Sequence, residues 1–200
     1  MRFSVILFLS VVVPWCFVKA KKVPLPQECL QEYKKVVARY GSEEGHCLRL
    51  QLIVNCFSKR RHETGEVVDH MRYLFAQESL FVNKLGICNI DLDDLKEITD
   101  KTEVAQKHRY LDSVDDDKWD ECAGKVHKVC IKQYLSLLAQ ERKVCNDAQA
   151  WIACYPEEAQ KQGCDAEILQ HFASMLKIVG ESVVRSIRRY MGVECSKIEL

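Results

Sequence analysis

One pattern of cysteines occurs twice in this chain, and it constrains the fold more than any other feature. The segment 29–57 is repeated about a hundred residues later at 130–155, and a second match places EVVDHMRYLF on EILQHFASML. The matched residues include Cys29 with Cys130, Tyr33 with Tyr134, Ala38 with Ala139, Cys47 with Cys145, Cys56-Phe57 with Cys154-Tyr155, and His70 with His171. Each copy ends at one more cysteine, Cys88 or Cys195. The repetition predicts a duplicated helical unit held together by cysteines.

The first twenty residues have the composition of a secretory signal peptide. A basic start is followed by a nearly continuous apolar run over 4–18, and small or modest residues precede a cleavage point after Ala20. The run is short for a bilayer span, which takes ~20 residues. We therefore expect cleavage after Ala20, secretion to the extracellular space, and no membrane span in the mature chain.

Cleavage would also change the cysteine count. It removes Cys16 and leaves ten of the eleven cysteines, an even number that predicts five disulfides in an oxidising compartment. A zinc site is the alternative. No two cysteines have the gap of two to four residues that zinc knuckles use, so we expect no metal and no cofactor.

Charge and composition exclude several classes of partner. Basic and acidic residues balance at 29 each, and loss of Arg2 and Lys19 with the signal peptide leaves a small acidic excess. Such a chain has no electrostatic reason to bind nucleic acid or an anionic membrane. The acidic runs around Asp93 and Asp116 lack the alternating ligands, central glycine and distal glutamate of an EF-hand, so they favour helix N-terminal charge over calcium binding.

The periodicity of apolar residues predicts an all-α fold, a disulfide-stapled helical bundle built from two related three-helix units. The expected order is a signal peptide (1–20), a first unit (21–88), an acidic linker (89–117) and a second unit (118–200), with 21–200 forming one compact domain. The predicted helices cover 27–40, 43–58, 65–85, 93–110, 115–141, 146–153 and 165–190. Pro156 marks a break or a new first turn after the sixth of these.

Two segments allow more than one interpretation. LRLQLIV (48–54) alternates like a strand, but its counterpart in the second copy does not, which favours a helix. The basic run from Lys59 to His62 suits the C-terminal end of a helix, where cations are favoured; it could also be a processing site in a secreted precursor.

Symmetry predicts the disulfide pairing. In a helix hairpin, residues equidistant from the turn come together, and this predicts Cys29–Cys56 and Cys130–Cys154. Cys47 and Cys56 are nine residues apart, so on a helix they point to opposite faces and must bond to different neighbours. Cys47 and Cys145 would then pair with the cysteines that close each unit. The predicted set is Cys29–Cys56, Cys47–Cys88, Cys130–Cys154, Cys145–Cys195 and Cys122–Cys164.

No catalytic motif is present. The chain lacks Gly-x-Ser-x-Gly, His-Glu-x-x-His and a phosphate-binding glycine loop, and each mature cysteine has a structural partner, so we expect no enzyme. His70 and His171 could form a metal or acid–base pair between the units, but packing roles at matched positions are favoured. Trp119 and Trp151 could line a pocket or fill the core.

The spacing Cys145-x8-Cys154-x9-Cys164, followed by a long amphipathic helix to Cys195, resembles that of cysteine-rich helical secreted proteins of invertebrates. The nearest group is the 27 kDa haemolymph glycoproteins. The resemblance covers mainly Cys122 to Cys195. It implies a secreted helical protein and carries over no catalytic residue.

These observations favour a secreted, non-enzymatic binding protein that acts as a monomer. It would carry a small apolar ligand or bind another extracellular protein in haemolymph or a secretion. The alternative is a venom or secreted toxin component that acts on a receptor or channel. A carrier would need an apolar cavity, and the residues expected to line it are Trp119, Trp151, Phe172 and Met175.

Overall fold

A computed structural model of the chain describes residues 23–40, 45–108, 119, 121–139, 144–164, 167–174 and 176–177, with only the backbone described at 137–139 and 144–149. The predicted signal peptide, 1–20, lies outside these residues. All regular secondary structure in the described part of the chain is helical. The prediction of an all-α fold is therefore confirmed. No helix there combines the length and the apolar character that crossing a bilayer requires.

The first unit consists of three helices: α1 (Leu25–Arg39), α2 (His46–Ser58) and α3 (Glu66–Lys84). α1 begins two residues before its predicted start because a helix tolerates proline in its first turn, where Pro26 lies. α3 ends at Lys84, and two residues later Gly86 has a positive φ of 64° while the Ile87 amide donates a hydrogen bond to the Val82 carbonyl. This is the left-handed helix end that glycine favours.

α2 is a helix despite the alternation of its sequence. Its buried apolar side chains recur at helical spacing, at Leu50, Ile53, Val54 and Phe57. The strand-like appearance comes from exposed leucines on the opposite face, where Leu48 is 44% and Leu52 is 40% exposed. The helical interpretation of this segment is confirmed.

The described part of the acidic linker forms two short helices, α4 (Asp93–Thr99) and α5 (Glu103–Lys107), where the sequence predicted one. Thr102 separates them, since its side-chain oxygen accepts a hydrogen bond from the Ala105 amide and caps α5. The side chain of Asn83 bonds both the carbonyl and the amide of Ile90, which fixes the start of the linker against the end of α3.

The second unit contains α6 (Glu121–Ala139) and α7 (Val144–Gln162), and residues 167–174 begin a third helical segment. α7 differs from the prediction, because it continues through Pro156 for another turn and a half instead of breaking there. Pro156 is exposed, so its ring lies on the solvent side of the helix. Gly163, with a φ of 68°, ends α7 one residue before Cys164.

The described residues form four disulfides, and each lies within one unit. They are Cys29–Cys56, Cys47–Cys88, Cys122–Cys164 and Cys130–Cys154. These are four of the five pairs predicted from symmetry. The fifth, Cys145–Cys195, involves a side chain and a residue that lie outside the described part of the chain. Each bond typically contributes ~2–4 kcal/mol, mainly because it restricts the unfolded chain.

The two units meet at Phe81, near the C-terminal end of α3. Its ring stacks on Phe172 of the second unit with centroids 4.0 Å apart and an interplanar angle of 9°. Trp119 and His127 approach the same ring edge-on, at 5.8 Å and 5.0 Å. Among the described residues, the apolar core is therefore continuous across the units.

Candidate functional site

The residues expected to line an apolar cavity lie in aromatic contacts. Trp119 and Phe172 both contact Phe81, and Trp151 stacks on Tyr134 with ring centroids 4.8 Å apart. The structure thus brings Trp119 and Phe172 together and places Trp151 in a second aromatic pair. The side chain of Met175 lies outside the described residues.

Two buried histidines, one from each unit, lie beside this aromatic cluster. The rings of His46 and His127 are 5.6 Å apart, and His127 shares a 2.9 Å hydrogen bond between its Nδ1 and the Tyr155 hydroxyl. Burial lowers the pKa of His46 to about 4, with Arg49 acting in the same direction. Burial also lowers the pKa of His127, and His46 adds to that effect. Both imidazoles are therefore neutral at pH 7, and being buried, they cannot exchange protons with a ligand in solution.

A second cluster of polar side chains lies between α1, α2 and α3. Burial raises the pKa of Glu78 to about 7, and Arg49 opposes that shift. Burial raises the pKa of Tyr33 to about 12, with a further contribution from Glu78. Arg49 donates a hydrogen bond to the Tyr40 carbonyl at the end of α1, so it ties α1 to α2. This arrangement is structural, because it orients helices and faces the interior.

The two histidines at matched repeat positions have the same local role. Nδ1 of His70 donates to the Glu66 carbonyl at 2.6 Å, and Nδ1 of His171 donates to the Glu167 carbonyl at 2.9 Å. Both side chains are half-buried near the start of a helix. The shared bond supports the packing interpretation of this pair.

The basic run after α2 is held in ion pairs. Arg60 contacts Glu28 and Glu63, and Arg61 contacts Asp94 and Glu97. Arg60 also donates to the Val23 carbonyl, so it joins the start of α1 to the end of α2. These contacts favour the structural interpretation of the run over a processing site.

The candidate ligand site is a cleft between the first turns of α3 and the helix α5. Its volume is about 320 Å³, at the lower end of the range for small-molecule pockets (~300–1,000 Å³). The residues that line it are Glu66, Asp69, His70, Glu103, Val104, Lys107 and His108. We call this site the α3/α5 cleft.

Both walls of the α3/α5 cleft are held in place by buried side chains and by a hydrogen bond between them. α3 is fixed by its buried face in the core, while α5 is held by the buried side chains of Val104 and Ala105. The Tyr73 hydroxyl donates to the His108 carbonyl, which links the end of α5 to α3. The cleft therefore lies between two anchored elements.

The charges of the α3/α5 cleft are mainly negative. It contains three carboxylates and one lysine, and Lys107 Nζ is 2.5 Å from Glu103 Oε1. Asp69 Oδ1 is buried and has no hydrogen-bond partner among the described residues, and Asp69 Oδ2 accepts a 3.4 Å hydrogen bond from the Gly65 amide. Of the residues described around the cleft, Val104 is the only aliphatic one that lines it.

The described residues do not form a metal site in the α3/α5 cleft. Among them, only Glu28, Glu32 and Cys56 bring three potential ligand atoms within 4.8 Å of one another. The sulfur of Cys56 is bonded to Cys29, so it is not a thiolate ligand.

Comparison of the chain with protein-family models, with curated proteins and with solved structures gave no match. The resemblance to haemolymph glycoproteins therefore stays a prediction.

The sequence did not predict the α3/α5 cleft, because α5 lies some 35 residues further along the chain than the part of α3 that it contacts. The one local indication in the sequence was the four-residue spacing of Glu103 and Lys107, which allows them to pair on a helix.

Proposed function

We propose that this chain is a secreted, non-enzymatic binding protein that takes a small ligand in the α3/α5 cleft. The observation that carries the proposal is the cleft itself, a cavity lined by hydrogen-bonding groups and built between two anchored helices of a disulfide-linked framework. A rigid site of this kind loses little conformational entropy when it binds.

The chemistry of the described residues supports binding over catalysis. The cysteine side chains described by the structure are in disulfides, and the His127–Tyr155 pair is buried. Secretion is supported by the four disulfides, which persist in oxidising compartments, and by the sequence of residues 1–20.

The α3/α5 cleft is more polar than the carrier site that the sequence predicted. The aromatic residues expected to line that site pack on other aromatic rings, whereas the cleft offers carboxylates and imidazoles. We therefore propose a small polar ligand in place of an apolar one.

Native mass spectrometry of the protein secreted by cultured cells tests this proposal. The full chain is expressed, incubated with a small-molecule extract and compared with Glu103→Trp, which places a large ring in the cleft. Gln106→Trp is the matched control, because Gln106 is exposed on α5 and does not line the cleft.

We expect a non-covalent adduct on the wild-type protein and on Gln106→Trp, and its loss in Glu103→Trp. The secreted chain should begin at Lys21. An adduct that persists in Glu103→Trp, or no adduct on any of the three proteins, would overturn the proposed site. A chain retained inside the cells would overturn secretion.

A further inference from the structure

Two histidines meet where the units contact each other, and each has one ring nitrogen without a partner. His46 belongs to the first unit and His127 to the second, and their ring centroids are 5.6 Å apart. Nδ1 of His127 shares a hydrogen bond with the Tyr155 hydroxyl, whereas the buried Nε2 atoms of both histidines have no partner among the described residues. A protonated imidazole donates through both nitrogens, so the residues described around the contact offer neither cation an acceptor at Nε2.

The surroundings of the two rings also disfavour positive charge. His46 is the first residue of α2, where the helix dipole repels a cation, and no acidic residue lies in the first turn of α2. Burial lowers the pKa of His46, and Arg49 one turn further along α2 adds to that effect. His127 lies among apolar rings, since Phe81 and Phe172 approach it edge-on at centroid distances of 5.0 and 6.0 Å. A charge on either imidazole is therefore costly while the units are in contact.

The other titratable groups at this contact do not offset that charge as the pH falls. Glu78 of α3 and Tyr33 of α1 act electrostatically on Arg49, and Glu78 also acts on Tyr155 of α7. Burial raises the pKa of Glu78 to about 7, so this carboxyl becomes neutral in acid. Burial also raises the pKa of Tyr33 and of Tyr155, so both hydroxyls stay neutral. Acidification therefore adds positive charge at the contact and removes a negative one.

The disulfides do not hold the two units together. The four that the described residues form each lie within one unit, so they restrain the helices of a unit and not the contact between units. The described contact between units is noncovalent packing, centred on the stacked rings of Phe81 and Phe172. Separation of the units can therefore precede the unfolding of either one.

We propose that acidification separates the two units at this contact, and that protonation of His46 and His127 drives the separation. Water then becomes the hydrogen-bond partner of each imidazole, and the aromatic rings stacked between the units become exposed. This device goes beyond the ligand site, because the residues that line the α3/α5 cleft all precede the second unit in the chain.

The size of the effect follows from proton uptake. An imidazole in water has a pKa of about 6.5, so each histidine favours the separated form by up to about tenfold per pH unit below that value. Glu78 opposes separation by up to about tenfold per pH unit if it becomes exposed, and has no effect if it stays buried in the first unit. The equilibrium between contacting and separated units should therefore shift by about ten- to a hundredfold per pH unit between pH 6.5 and 4.5.

Tryptophan fluorescence of the full chain tests the inference, because its two described tryptophans have different surroundings. Trp119 lies edge-on to Phe81 at the contact, whereas Trp151 stacks on Tyr134 within the second unit. Trp15→Phe combined with Trp151→Phe leaves Trp119 as the single tryptophan, and Trp15→Phe with Trp119→Phe leaves Trp151. Acrylamide quenching of both proteins is measured from pH 7.5 to 4, and far-UV circular dichroism reports their helix content.

We expect acrylamide quenching of Trp119 to rise several-fold at pH 4, because separation opens the contact to water. Quenching of Trp151 and the circular dichroism signal should stay close to their values at pH 7.5, because the disulfides hold each unit together. Exposure of both tryptophans at the same pH, with loss of helix, would mean that acid unfolds the whole chain and would overturn the proposal. Continued shielding of Trp119 at pH 4 would overturn it as well.

Histidine variants in the protein that retains Trp119 identify the groups that drive separation. His46→Asn combined with His127→Asn should abolish the transition, because the asparagine side chain is polar and takes no charge. His46→Asn alone keeps the hydrogen bond between His127 and Tyr155, and should reduce the pH dependence by about tenfold per pH unit. This single variant decides the matter if the double variant does not fold. His62→Asn is the matched control and should change nothing, since His62 is exposed in the loop between α2 and α3. An unchanged transition in His46→Asn would show that other groups drive it.

Discussion

The two copies of the repeat share one disulfide geometry but differ where their second helices end. Cys29–Cys56 and Cys130–Cys154 have Cα–Cα distances of 5.7 and 5.6 Å. After these bonds, α2 ends at Ser58, whereas α7 continues to Gln162. The cysteines therefore fix how the hairpin helices approach each other, and the residues that follow decide how far the second helix runs.

The first copy, in which the second helix ends earlier, has a buried arginine that the second copy lacks. Arg72 is fully buried in α3 and donates to the carbonyls of Phe57, Arg60 and Glu63, around the end of α2. In the second copy its counterpart is Ala173. The last carbonyls of a helix have no hydrogen-bond donor within that helix and need one from elsewhere. Where the helix continues, the amides of its next turn donate to those carbonyls. Burial lowers the pKa of Arg72, while Asp69 and Glu63 oppose that shift.

Arg72→Ala, which gives the first copy the residue of the second, should have the largest effect. We expect a loss of about 3–5 kcal/mol in the free energy of unfolding, because three carbonyls lose the hydrogen bonds of a buried guanidinium and a cavity remains. Arg61→Ala is the control, since its ion pairs are exposed and worth at most ~1 kcal/mol. Chemical denaturation measures both. Equal losses would contradict the role of Arg72.

Removing the shared disulfide from each copy should have a smaller and nearly equal effect. Replacing Cys29 and Cys56, or Cys130 and Cys154, by alanine is expected to cost about 2–4 kcal/mol in either case. The sequence separations of 27 and 24 residues differ so little that chain entropy predicts a difference of about 0.1 kcal/mol. A measured gap above ~1 kcal/mol would show that packing, and not loop length, sets the value of each bond.

The pH dependence of stability tests the two buried histidines that meet where the copies contact each other. The pKa of His46 is about 4 in the folded protein against 6.5 unfolded, and that of His127 is also lowered. As pH falls from about 6.5 towards 4, the unfolded chain takes up protons that the folded chain does not, so stability falls. Glu78, with its pKa raised from 4.5 to about 7, acts oppositely: its contribution is present below 4.5 and is lost as pH rises to 7.

Two histidines outweigh one glutamate, so the free energy of unfolding should fall as the pH is lowered from 6.5 to 4.5, at about 1.4 kcal/mol per pH unit for each net proton that unfolding takes up. Glu78→Gln removes the opposing group and should make that slope steeper. Urea denaturation at pH 6.5, 5.5 and 4.5 gives both slopes. A slope in Glu78→Gln no steeper than in the wild type would mean that Glu78 is not protonated in the folded protein at these pH values.

The sequence allowed prediction of features that depend on spacing. The midpoint of Cys29 and Cys56 falls at the turn between helices, which was enough to pair them, and the repeat extended the same reasoning to Cys130 and Cys154. The helical interpretation of α2 was also correct, although the outward-facing Leu48 and Leu52 gave it an alternating pattern.

The features that were missed depend on contacts between distant segments. Arg72 was not recognised as buried, because its acceptors lie at the end of α2 and in the loop after it, and not in its own helix. His127 gave no signal, since its neighbours His46 and Phe81 belong to the other unit. Pro156 predicted a break or a new first turn, but proline on the exposed side of α7 removes one backbone hydrogen bond and the helix continues past it.

The disulfides of the first unit have a consequence for biosynthesis. Both of its bonds close between residues 29 and 88, and no described bond joins the two units. At ~5–20 residues per second, about 2–7 s pass between synthesis of Cys88 and Cys122. During that interval the four cysteines of the first unit have only three possible pairings with one another. If the chain is secreted as proposed, its first half can oxidise correctly before competing thiols from its second half are made.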